Sequence, residues 1–161
     1  MESVAVRVGT PVIFLFILRI LLKSKPIEIL LVEDNMFDAE MTIRALKKNN
    51  KNYIITHQIN GAEALNYLFG KGLYEGKGIT KPGLILLDLK MPKIDGMQVL
   101  EKLKANSTTK DIPVVILTSS NRSDDIDKIT ALGASGFIQK PVEFQDFLRS
   151  VSTLGAFLLP Q

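Results

Sequence analysis

Four short apolar runs in this chain each end on a polar group. Ile29-Leu30-Leu31-Val32 leads into Glu33-Asp34, Leu84-Ile85-Leu86-Leu87 into Asp88, Val114-Val115-Ile116-Leu117 into Thr118, and Gly136-Phe137-Ile138-Gln139 into Lys140. Runs of this length, alternating with segments of helical periodicity, predict buried strands of a parallel sheet. Between them, Asn35 is placed to cap a helix running to Lys48, with Met36, Ala39, Ile43 and Leu46 at helical spacing. Residues 53–59 read as a further strand and 62–69 as a helix, followed by a glycine-rich connection over 70–83. Helices are expected over 96–105, over 124–132, where Asp124, Asp125 and Asp127 suit the positive end of the helix dipole, and over 143–157. Five strand–helix units with right-handed crossovers give a doubly wound α/β sandwich around a five-stranded parallel sheet. Ligands of such sheets bind outside the carboxyl ends of the strands. Glu33, Asp34, Asp88, Thr118 and Lys140 should therefore converge on one edge.

The first 25 residues break this pattern. Val12 to Leu18 is unbroken apolar sequence, interrupted by Arg19 and resumed by Ile20-Leu21-Leu22. It falls short of the ~20 apolar residues of a spanning helix, and it lacks a secretory cleavage pattern. Three readings stand side by side: a weak membrane anchor through residues 12–22, a packing or dimerising helix, and a mis-assigned start ahead of a domain covering 26–161. Met36 is too late to be the true start, because beginning there would delete the first strand and the acidic pair.

The chain has 161 residues, 46% of them hydrophobic, enough for one well-buried domain and too few for two of ordinary size. The absence of cysteine excludes disulfides, thiolate metal sites and cysteine nucleophiles, and is compatible with the cytoplasm. The net charge of +3 comes from Arg7, Arg19, Lys23 and Lys25 against Glu2, and the remainder of the chain is balanced. A basic tail on a neutral domain is not the footprint of nucleic-acid binding.

Three clustered carboxylates repel one another, and each tends to keep its proton unless a cation compensates. A hard divalent ion such as Mg²⁺ suits an all-oxygen site of this kind. With the metal in place Asp88 can stay ionised and act as a nucleophile toward phosphorus, while Lys140 and the Thr118 hydroxyl supply charge and a hydrogen bond to phosphoryl oxygens. Singly, each residue has a bland reading, as loop cap, β-former or solvated lysine; their conjunction at successive strand ends is what carries the chemistry. The stretch Gly72 to Gly78 has too few residues between its glycines for a phosphate loop, and no Ser or Thr follows Lys77. His57, the single histidine, lies mid-strand and reads as structural.

The segments Val32-Glu33-Asp34-Asn35, Leu87-Asp88-Leu89-Lys90-Met91-Pro92 through Asp95-Gly96, Leu117-Thr118-Ser119 and Lys140-Pro141 resemble the receiver domains of two-component response regulators, over about residues 27–157. The resemblance implies a flavodoxin-like fold. It implies that Asp88 accepts a phosphoryl group from the phosphohistidine of a sensor histidine kinase, and that Glu33, Asp34, Asp88 and the backbone carbonyl of Lys90 hold Mg²⁺. Thr118 and Lys140 would then contact the phosphoryl group. Phe137 stands where receivers carry an aromatic switch residue, without the hydroxyl of a tyrosine; from the sequence alone it reads equally as core. The Gly61-Ala62-Glu63-Ala64-Leu65 helix, Gly72-Leu73-Tyr74 and the Leu154-Gly155-Ala156-Phe157 tail are similar to the stand-alone regulators that partner phytochrome-type kinases, a group in which such tails are associated with homodimer contacts. No output domain is expected, so the signal should leave through protein–protein contacts, with no enzymatic activity beyond self-phosphotransfer and autodephosphorylation. The alternative from another class is a metal-dependent phosphohydrolase with an aspartyl nucleophile. Enzymes of the haloacid dehalogenase type place a second acid two residues after that nucleophile, where this chain has Lys90.

Overall fold

Each apolar run forms a strand in the computed structural model, which describes residues 26–119, 123–140 and 143–158. The segment 1–25, with the three readings attached to it, lies outside the described residues. The strands are β1 (Ile27–Val32), β2 (Tyr53–Gln58), β3 (Leu84–Asp88), β4 (Val114–Thr118) and β5 (Gly136–Gln139), all parallel, in the order β2-β1-β3-β4-β5. Helices α1 (Met36–Asn49), α2 (Gly61–Phe69), α3 (Gly96–Ala105) and α4 (Ser123–Ala131) make the crossovers, and α5 (Phe144–Ser152) follows β5.

Successive strand residues face opposite sides, and both sides are apolar because both are covered. Leu30, Val32, Ile85, Leu87, Val114 and Ile116 pack against Ala64 and Leu65 of α2, Val99, Leu100 and Leu103 of α3, and Ile129 of α4. Ile29, Leu31, Leu84, Leu86, Val115 and Leu117 pack on the other side against Ala39, Ala45 and Leu46 of α1 and Phe147 and Val151 of α5. The central strands β3 and β4 are buried at every position, which places Asp88 and Thr118 at the ends of the most constrained segments of the chain.

The final helix is shorter than its periodicity predicts. It stops at Ser152 and passes into a 3₁₀ turn over Thr153–Phe157. The Ser152 hydroxyl donates to the Arg149 carbonyl and the Thr153 hydroxyl to the Ser150 carbonyl at 2.7 Å, side-chain bonds that compete with continued helix. In the turn, Phe157 lies over Gly136, where a Cβ would come within 2.7 Å of its ring. Leu148, Phe157 and Leu158 are half-buried against the α1–α5 side of the core, so much of the apolar surplus of the tail is used within the chain. In α4, Asp124 and Asp125 lie in the first turn and Asp127 falls just beyond it. The glycine-rich connection holds a 3₁₀ turn at Gly72–Tyr74, pinned where the Gln58 side-chain amide donates to the Tyr74 hydroxyl at 3.0 Å.

Gly96 packs closest to the functional edge. Its N–H donates to the Leu89 carbonyl at 2.9 Å, and a Cβ there would meet the Asp88 carbonyl oxygen at 2.2 Å and the Leu89 Cα at 2.7 Å. Backbone on both sides leaves nothing flexible to give way. Gly96→Ala is accordingly expected to cost about 2 kcal/mol or more, the upper range of overpacking, because Asp88 and α3 must separate. Urea unfolding of the variant checks this, and a loss below about 0.5 kcal/mol, the usual range of surface changes, would show that the loop yields freely.

Candidate functional site

The sheet order turns five scattered residues into neighbours. Asp88 ends β3, the middle strand, flanked by β1 with Glu33-Asp34 just past its end and by β4 ending on Thr118. Lys140 follows the edge strand β5, and its N–H donates to the Thr118 carbonyl at 2.7 Å, fixing where its side chain departs. Glu33 is held by its backbone: its N–H donates to the Gln58 carbonyl at 3.1 Å, and His57 Nε2 donates to its carbonyl at 2.8 Å. That bond is the structural role of the lone histidine. The Glu33 carboxylate also accepts the Asn35 N–H at 3.1 Å, while the Asn35 side chain caps α1 by accepting from Phe37 and Asp38.

The Lys140 ammonium lies at the centre of the cluster. Its Nζ is 2.5 Å from Glu33 Oε2, across 107 residues of sequence, 3.0 Å from Asp38 Oδ2 and 3.2 Å from Asp88 Oδ1. Burial works against its charge, but the hydrogen bond to Glu33 and the fields of Asp88 and Glu33 more than offset this and hold it above the ordinary lysine range. Glu33 and Asp88 are both buried, and that desolvation pushes both carboxyls up, against the lowering effect of Lys140. A backbone hydrogen bond from Lys90 also helps to keep Asp88 ionised.

Glu33, Asp34 and Asp88 each offer a carboxylate oxygen, and these atoms lie within 4.8 Å of one another. One lysine against so many carboxylates leaves negative charge uncompensated, and the donors are all hard oxygens, so the residues present fit a divalent cation of the Mg²⁺ and Mn²⁺ class. Thr118 is buried at the end of β4. Phe137 is 45% exposed, which removes the core reading and places its ring on the surface of β5. Nothing in the sequence pattern marks Asp38 as a site residue. As a first-turn acid after an Asn cap it reads as complementing the helix dipole, and only the tertiary structure shows it on Lys140.

A doubly wound sheet with an acidic cluster, an acid at the middle strand end and a lysine reaching across to it defines a phosphoacceptor module. The chain belongs to the response regulator receiver domain family, whose pattern matches residues 29–152. It is a receiver of two-component signalling, a family of signalling domains that sensor histidine kinases phosphorylate. Nothing favours the phosphohydrolase alternative. Among its relatives, the probable methanogenesis regulatory protein FilR2 of Methanothrix harundinacea is 37% identical over 134 residues, 83% of this chain and 84% of that protein. The response regulator Rcp1 of Synechocystis is 35% identical, and the structure of its Mn²⁺-bound form superposes with a TM-score of 0.75, covering 83% of this chain and 95% of that one. The phosphorylated cyanobacterial phytochrome response regulator RcpA superposes with a TM-score of 0.74 at 35% identity, covering 81% and 92% of the two chains. Among the described residues no helix is long and apolar enough to cross a membrane.

Proposed function

We propose that Asp88 is the phosphoacceptor, that Glu33, Asp34, Asp88 and the Lys90 carbonyl hold Mg²⁺, and that Thr118 and Lys140 bind the transferred group. The observation that carries this reading is the contact of the Lys140 ammonium with both Asp88 and Glu33 at the strand ends. Bound there, Mg²⁺ supplies positive charge that offsets the carboxylates and the incoming phosphoryl group. An ionised Asp88 oxygen attacks phosphorus, the bond from phosphorus to the donor imidazole nitrogen breaks with its electron pair returning to the ring, and an aspartyl phosphate results. Lys140 then exchanges a carboxylate contact for one to a phosphoryl oxygen, and the Thr118 hydroxyl donates to another. Phe137, exposed on β5, reports the change to the adjoining surface as the group biases two pre-existing states.

The donor is a histidine kinase, of phytochrome type by likeness to the relatives. The exposed Met36 (64%) and Phe37 (75%) beside the acidic pair give a protein partner apolar surface at the reacting edge. Residues 26–161 form the receiver domain and 1–25 an extension; the chain works in the cytoplasm, without nucleic acid, and autodephosphorylation is its only hydrolytic act. The half-exposed parts of Leu148 and Phe157, with Phe137, are the surface through which a second copy would associate. Incubation with a small phosphodonor and Mg²⁺ tests the core of the reading: one acid-labile phosphate per chain is expected, and none under any divalent ion would overturn it.

Metal binding should also carry the pH signature of the site. Glu33 and Asp88 are raised above their ordinary values of 4.5 and 3.8, so in the folded chain each takes up a proton at a higher pH than a free carboxyl. A protonated carboxyl is a poor ligand. Mg²⁺ affinity is therefore expected to hold on the alkaline side and to fall with decreasing pH, starting above the ordinary carboxylate range. Titrations of Mg²⁺ between neutral pH and pH 5 check this, and an affinity constant down to pH 5 would contradict it.

A further inference from the structure

The Lys140 ammonium has three protons and three carboxylate partners, and the partners are not equivalent. Glu33 and Asp88 belong to the trio whose oxygens converge within 4.8 Å, while Asp38 does not. A divalent ion on that trio would compete for oxygens that Lys140 now holds at 2.5 and 3.2 Å, and would repel the ammonium. Of the three, Asp38 alone stays available to it.

Local structure fixes Asp38 for this task. It lies in the first turn of α1, with its N–H bonded to the Asn35 side chain at 3.2 Å, and α1 is seated through Ala39 one residue on. Its side chain is 28% exposed and keeps contact with solvent, while Lys140 at 13% needs a partner wherever it moves. We infer that Asp38 is a positioning residue: it anchors Lys140 on the α1 side of the site when metal and phosphoryl groups claim Glu33 and Asp88, and so lets Lys140 release those oxygens without losing its last counter-charge. The inference rests on the metal reading above and adds to it a residue outside the metal cluster.

Isothermal titration with Mg²⁺ alone, on the unphosphorylated chain, tests it through a double-mutant cycle. With Lys140 present, Asp38→Ala should weaken Mg²⁺ binding about tenfold, because the ammonium is left with only the oxygens that the metal needs. Asp38→Asn, which keeps the shape and an acceptor but not the charge, should fall in between, and Asp38→Glu should recover most of the affinity. In a Lys140→Ala background the Asp38→Ala effect should shrink to about twofold, since a residue acting through Lys140 has nothing left to position. An equal loss in both backgrounds would show Asp38 acting only as one more distant negative charge, and overturns the inference, as does no loss in either. A parent chain that binds no Mg²⁺ would instead bring down the metal reading itself, a result distinct from both.

Discussion

Asp88→Asn is expected to abolish phosphoryl labelling by a small phosphodonor with Mg²⁺, while leaving the fold intact or slightly more stable. The amide has the shape of the carboxylate but no nucleophilic oxygen, so the covalent step has nothing to proceed through, and residual labelling should fall below about one-hundredth of the parent rate. The stability half follows from the sign of the perturbation. Burial raises the Asp88 carboxyl, so its charge is held at a cost in the folded state that is fully present above the raised value, falls as pH drops through it, and is gone below the ordinary pKa of 3.8. Asparagine removes that charge at neutral pH, and Lys140 keeps Glu33 and Asp38 as partners. Intact-mass analysis before and after acid treatment measures the first outcome and urea unfolding the second. Acid-labile phosphate retained in the variant would move the acceptor elsewhere; a misfolded variant would show Asp88 to be structural.

Much of this site was legible because its residues sit where apolar runs stop. The runs at 29–32, 84–87 and 114–117 are apolar on both faces only because helices cover both faces of the sheet, and a parallel sheet brings all its carboxyl ends to one edge. What stayed hidden depends on reach rather than on pattern. Asp38 lies inside a helix, with no apolar run to mark it, and its partner is 102 residues away. Phe137 sits in a short edge strand where alternation cannot separate core from surface, and its side chain faces outward. The end of α5 is not legible in the pattern, because periodicity continues through Leu154 while hydroxyls at Ser152 and Thr153 turn the backbone into a tighter helix.

The acidic pair should divide its two duties between its members, and substitutions separate them. Asp34 is exposed, and among the described residues its side chain makes no hydrogen bond; its charge also pushes the Asp88 carboxyl upward. Without metal, Asp34→Ala should then change stability by no more than about 0.5 kcal/mol. Its effect on Mg²⁺ should be large: losing a direct ligand should cost at least the roughly 10–100-fold that follows loss of an outer-shell partner. The rise in melting temperature that Mg²⁺ gives the parent should disappear with it, because a ligand stabilises only in proportion to its binding to the folded state. Glu33→Ala is a different experiment. Glu33 is buried and accepts from both the Asn35 N–H and Lys140, so its removal also loosens the β1–α1 turn. Breaking a buried pair by deleting one partner costs several kcal/mol when the survivor is stranded, but Lys140 keeps two other carboxylates and the desolvation of Glu33 is relieved. About 1–3 kcal/mol is the expected loss, together with the loss of Mg²⁺ binding. Calorimetric melting and Mg²⁺ titration of both variants decide the matter. An unchanged Mg²⁺ affinity in Asp34→Ala would remove the metal assignment of the pair, whereas a destabilisation equal to that of Glu33→Ala would show that both acids serve the fold.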